Sequence, residues 1–146
     1  MLNTWKSQVV KKPKLRTYIR FKDNVDTEVY VKYLTSRSAR SLFAQFRHGI
    51  LPLSIETGRF RHLQAEERLC ELCQLDLVED EMHFLCICPQ YANLRHSLYQ
   101  NAEEVNPNFV NLDTEEKFLS LMENSWKDVS KFIVSGWNVR QNVLYK

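Results

Sequence analysis

A chain of 146 residues, 44 % hydrophobic and 26 % charged, can bury a core of its own and reads as one domain, or one domain with a loose arm. With only 3 Gly and 4 Pro it is not collagen-like, linker-like or a turn-dense all-β chain. The net charge of +2 hides an asymmetry: residues 1–62 hold 13 Lys and Arg against 4 Asp and Glu, a balance of +9, while residues 63–146 hold 7 against 14, a balance of −7. Such a split points to a polyanion surface at one end, or to two solvated faces that attract each other. No apolar run approaches the roughly 20 residues of a membrane span, and the first residues lack the apolar stretch of a secretory signal. An intracellular protein, nuclear or cytoplasmic and without membrane association, is expected.

In chain order, residues 1–14 are polar and basic, ending in Lys11-Lys12-Pro13-Lys14, and read as a flexible arm. Residues 15–62 form a basic region that is mainly helical. Tyr18, Ile19 and Phe21 suit a short strand or helix equally. Asp26 or Thr27 can cap a helix through Val29, Val31 and Tyr33. Ser36 can cap the next, placing Ala39, Leu42, Phe43 and Phe46 on one face. Gly49 stands where a left-handed residue ends a helix, with Pro52 beyond it. Arg37, Arg40 and Arg47 fall within about 80° of one another on a different face. Leu51–Arg61 reads as a loop or short extended segment carrying Arg59 and Arg61.

Residues 63–90 hold the cysteines, and residues 91–146 read as acidic C-terminal helices. Tyr91, Leu94, Leu98, Tyr99 and Ala102 form one stripe, broken at Asn106-Pro107-Asn108. Asp113 with Glu116 makes a capping-box arrangement ahead of Phe118, Leu121 and Met122. Trp126, Val129, Phe132, Ile133 and Trp137 form the last stripe. The expected fold is therefore mainly α, with a small irregular metal-stabilised centre that has room for a short β-hairpin. Residues 13–142 are expected to form one folded unit.

All 4 Cys lie between positions 70 and 88, with His83 among them. Cys70 and Cys73, two residues apart, can turn both sulfurs toward one ion about 2.3 Å away. Nine residues later, His83 and Cys88 supply a second pair at finger-like spacing. Soft thiolates with one imidazole suit Zn2+ better than calcium or magnesium. A disulfide framework would need an oxidising compartment, and a thioredoxin-type pair would need a βαβ context that is missing. Burial of unrelated cysteines does not explain why all four cluster beside a histidine. Cys86 competes with Cys88, but a His-to-Cys gap of two is short, and Cys86 suits the apolar run of Phe84, Leu85 and Ile87. His48, His62 and His96 fall outside the ligand set, with His62 and His96 the nearest substitutes.

Four available ligands make the site closed and structural rather than catalytic. The acidic run Glu79-Asp80-Glu81 reads as a solvated turn rather than a general base. No Walker motif, GxGxxG, GxSxG or HExxH is present, so no enzyme activity is expected.

Leu53-Ser-Ile-Glu-Thr-Gly-Arg-Phe60, Arg68-Leu-Cys-Glu-Leu-Cys73, Glu79-Asp-Glu-Met-His-Phe-Leu85, Cys88-Pro-Gln-Tyr91 and Arg95 together resemble a known pattern. It is the zinc-binding C-terminal region that follows the reverse transcriptase of animal non-LTR retrotransposons. The resemblance covers roughly residues 14–140 and is most specific over 53–95. It implies metal ligation by Cys70, Cys73, His83 and Cys88, with Cys86 outside. It also implies a tail that helps bind element RNA or target DNA during target-primed reverse transcription. The polymerase and endonuclease portions are missing, so a fragment, a decayed copy and a host-adopted domain are all open, and no catalysis carries over.

The expected function is a structural-zinc, nucleic-acid-binding module whose partner is RNA or DNA, acting with a polymerase-containing partner or parent chain. Candidate phosphate contacts are Lys11, Lys12, Lys14, Arg37, Arg40, Arg47, Arg59 and Arg61, with Tyr18 and Phe60 interleaved either as stacking groups or as core. The alternative is a zinc-stabilised protein-interaction module docking a partner through its acidic C-terminal helices.

Overall fold

A computed structural model of the chain describes Gln8, residues 29–34 and residues 36–145. Its helices are α1 (Val29–Tyr33), α2 (Arg37–Arg47), α3 (Ser54–Thr57), α4 (Ala92–Val105), α5 (Thr114–Asn124) and α6 (Trp126–Leu144), linked by short 3₁₀ turns and one π-helical turn. Among the described residues there is no sheet. The hairpin foreseen in the centre amounts to one antiparallel bridge, Leu69 with Val78. No helix there is long and apolar enough to cross a membrane.

Local sequence explains most boundaries. Ser36 accepts from the Ala39 amide at 3.3 Å and so caps α2, while Asp113 accepts from the Glu116 amide at 2.8 Å and caps α5. Gly49 has φ 71°, the left-handed value that its place after α2 requires. α4 stops at Val105, just before Asn106-Pro107. The Lys11–Lys14 arm, Tyr18, and Asp26 and Thr27 lie outside the described residues.

α6 packs on α2, α4 and α5, so the longest helix is the spine of the molecule. The core between them is aromatic. Phe84 is its hub, with ring centroids 6.0 Å from Phe46, 4.7 Å from Tyr91 and 5.6 Å from Phe132. Gly136 lets α6 approach, since a Cβ there would sit 3.0 Å from the Phe84 ring. Phe84 is the neighbour of His83, which ties the cysteine-rich centre directly into the core.

Residues 51–61 depart from the expected loop. Leu51 and Leu53 are fully buried, and the chain coils into α3 and a 3₁₀ turn, Gly58–Arg61. Burying these leucines requires the adjacent amides to find partners, and coiling supplies them locally. Arg68 closes the coil: its guanidinium donates to Ile55 O at 2.8 Å and twice to Leu63 O at 3.1 and 2.9 Å. Its aliphatic stem fills the space over Gly58, where a Cβ would lie 2.8 Å from Cδ and closer still to Cγ. Gly58→Ala should therefore destabilise the protein by about 1–3 kcal/mol, because the guanidinium is held by three hydrogen bonds and the stem cannot swing away. Urea denaturation checks this, and a variant as stable as the parent would show that Arg68 relocates freely.

Candidate metal centre

Two pieces of chain build the centre. The first is the turn after the Arg68 clamp. Cys70 N donates to Leu77 O at 2.9 Å and Glu79 N to Arg68 O at 3.1 Å, flanking the Leu69–Val78 bridge. Asp76, at φ 54°, turns the chain back in the left-handed region that Asp tolerates. Within this turn the Leu72 amide lies 3.4 Å from Cys70 Sγ and donates to it.

The second piece is the π-helical turn His83–Ile87. Asp80 starts it, its carboxylate accepting from the His83 amide at 2.8 Å. The widened coil lets Cys88 N donate to His83 O at 2.8 Å, an i to i+5 bond that brings residues 83 and 88 to the same side. Widening strands carbonyls that an α-helix would pair. Arg95, buried on α4, takes two of them, donating to Leu85 O at 2.9 Å and Phe84 O at 3.3 Å. Arg95 thus holds the ligand turn in shape from outside.

The pieces bring Cys70, Cys73, His83 and Cys88 together, with all their ligand atoms within 4.8 Å of one another. Cys70 Sγ and Cys88 Sγ are 3.9 Å apart, and Cys73 Sγ is 3.5 Å from His83 Nε2. A tetrahedral site with metal–sulfur bonds of about 2.3 Å has sulfur–sulfur edges of about 3.8 Å. The donor spacing therefore fits one four-coordinate metal ion. Cys86 lies outside the group, as expected, and burial pushes its thiol up to about 11. His83 Nδ1 is buried without a hydrogen-bond partner among the described residues, and Nε2 is the ring nitrogen that faces the thiols.

The electrostatics show how the sulfurs share charge. The hydrogen bond with Cys88, aided by burial, pushes the Cys70 thiol up to about 12, and the same bond holds Cys88 below the usual thiol range. The contact between the two sulfurs is a hydrogen bond that carries one thiol's proton. A metal ion that takes both must displace it, so binding releases protons.

The acidic run beside the ligands is a correction. Glu79 and Glu81 are buried, not solvated. Arg140 of α6 grips Glu79 in a two-pronged pair, Nε to Oε2 at 2.9 Å and Nη2 to Oε1 at 2.8 Å. Ser54 adds its amide at 2.7 Å and its hydroxyl at 2.9 Å to the same carboxylate. Glu79 is thus a structural anchor joining the ligand segment to α3 and α6. A sequence signal for Arg140 existed: it continues the Ile133–Trp137 stripe at helical spacing, where a charge must be paired.

The basic candidates scatter. Arg37 is exposed. Arg40 is half-buried, its Nη1 donating to Leu34 O at 3.1 Å. Arg47 overturns the expectation of one shared exposed edge: it is buried, its guanidinium over the rings of Tyr30 at 5.5 Å and Phe43 at 5.7 Å. The aromatic neighbours offer it a cation–π seat that helical geometry alone does not reveal. Arg59 is exposed and pairs with Glu56 at 2.8 Å, and Arg61 pairs loosely with Glu71 at 3.5 Å. Lys11, Lys12 and Lys14 lie outside the described residues. Phe60 is 74 % exposed and not part of the core.

No protein-family model, curated protein or solved structure matches this chain.

Proposed function

We propose that the chain is a zinc-stabilised, non-catalytic module that binds RNA or DNA, in the manner implied by its resemblance to the region following non-LTR reverse transcriptases. The observation that carries the reading is the closed set of three thiols and one imidazole. Zinc suits that donor chemistry, and four protein ligands leave it no position for a reacting water. The ion then holds the turn and the π-helical segment together. Arg37 and Arg61, both exposed, supply phosphate contacts on the described surface. A polymerase-bearing partner or parent chain would supply the chemistry.

Metal analysis combined with RNA and DNA binding at two salt concentrations tests this. About one zinc per chain is expected. Each of Arg37→Ala and Arg61→Ala should weaken binding across sequences and lower the salt slope by about one unit. Arg47 is unsuited to this test because its replacement disturbs packing. Unchanged affinity and slope in both folded, zinc-loaded variants would refute phosphate contact at these positions.

A further inference from the structure

Phe60 stands exposed between Arg59 and Arg61 in the 3₁₀ turn that precedes the metal centre. Facing it is the C-terminal end of α6. Phe60, Arg61, Trp137, Arg140, Gln141 and Tyr145 border a cleft of about 420 Å³ between the two. That volume lies in the range of ligand clefts, about 300–1,000 Å³. Tyr145, on the far wall, is 77 % exposed. Among the described residues three aromatic side chains are this exposed, Tyr33 at 63 % being the third, and two of them, Phe60 and Tyr145, border one cleft.

Ser54 and Arg140 on the cleft wall are engaged by Glu79, but other polar groups there are held more loosely. Gln141 also borders the cleft, its Oε1 buried beneath the surface and without a hydrogen-bond partner among the described residues. Among the described residues Arg61 is engaged by Glu71, in an exposed contact at 3.5 Å. Such pairs are worth about 0–1 kcal/mol, so Arg61 can exchange that carboxylate for a phosphate at little cost. The Arg140 guanidinium lies 5.3 Å over the Trp137 ring and, held by Glu79, fixes the cleft floor. Trp137 also borders the adjoining cleft, whose wall includes Arg37. Trp137 thus links the cleft bordered by Arg61 to one bordered by Arg37.

We infer that this cleft receives an unpaired nucleobase, with the flanking phosphates on Arg61 and Arg37, so that single strands are the preferred partner. The inference rests on the nucleic-acid reading above and specifies the form of nucleic acid. Every base has a π face, and a duplex hides it. Aromatic stacking of this kind is worth about 1–3 kcal/mol per base.

The test measures binding of the full zinc-loaded chain to labelled single-stranded RNA and DNA of about 12 nucleotides and to the matching duplexes. Single strands should bind more tightly than duplexes. Phe60→Ala and Tyr145→Ala should each weaken single-strand binding by about 5- to 100-fold, with metal content and salt slope unchanged, and Phe60→Trp should restore it. Both side chains are exposed, so neither replacement threatens the fold. Salt-sensitive binding without strand preference, unaffected by Phe60→Ala and Tyr145→Ala, would overturn the base site and leave the nucleic-acid reading standing. Equal weakening of single strands and duplexes would also overturn the base site. No binding of either form would overturn both.

Discussion

Cys73→Ser should strip the metal from the protein and remove the cooperative melting of its centre, whereas Cys86→Ser should keep both. The contrast follows from position. Cys73 Sγ belongs to the group of four ligand atoms, while Cys86 lies in the same short segment but outside that group. Structural zinc contributes apparent binding free energies of about 10–16 kcal/mol in small finger peptides, and that energy is folding energy. Here part of it is spread into a larger core, because Phe84, Leu85, Cys88 and Tyr91 are all buried beside the ligands. Losing the ion should therefore loosen the packing of α6 as well as the two ligand turns. Metal analysis and thermal melting followed by circular dichroism check the pair of variants. Retained metal in Cys73→Ser, or lost metal in Cys86→Ser, would show that the ligand set is wrong.

Arg140→Met should cost about 3–5 kcal/mol, the usual penalty for leaving one partner of a buried ion pair alone. Glu79 is 1 % exposed, and without Arg140 its charge would keep only the Ser54 donors. At about 2–4 °C per kcal/mol, the melting temperature should fall by roughly 6–20 °C. Adding Glu79→Gln to Arg140→Met should recover part of the loss. A neutral amide still accepts from Ser54 and no longer requires a counter-charge. The double-mutant cycle isolates the coupling. An Arg140→Met protein within 1 kcal/mol of the parent in urea denaturation would mean that Glu79 finds water or another cation.

The cluster of Cys70, Cys73, His83 and Cys88 was legible because donors for one ion are set by local spacing, and the structure brings these four together. The caps at Ser36 and Asp113, the turn at Gly49 and the stop before Pro107 were legible for the same reason. Glu79 was not. Three acids in a row look solvated until α6 delivers an arginine from 61 positions away. Arg47 misled because helical periodicity gives a side chain's direction and says nothing of what packs there. Tyr30 on α1 covers that side of α2, so an apparently open edge became a buried cation–π contact. The coiled segment 51–61 was hidden for a third reason. Its order depends on Arg68 reaching back to Ile55 and Leu63, a contact no pattern within the segment foretells.

The two anchors of the centre also differ in when the chain can make them. Cys70 and Cys88 are separated by 18 positions, so the metal-binding loop costs little entropy to close and is complete once residue 88 exists. Glu79 lies inside that loop, yet its counter-ion arrives only with residue 140. During synthesis, or early in refolding, a closed metal loop therefore carries an unneutralised carboxylate that stays in water. Desolvation of Glu79 must wait for α6, and the same docking buries Phe84 against Phe132 and Gly136. A metal ion bound there would fix the local shape first, and the long-range ion pair would then permit the centre to enter the core.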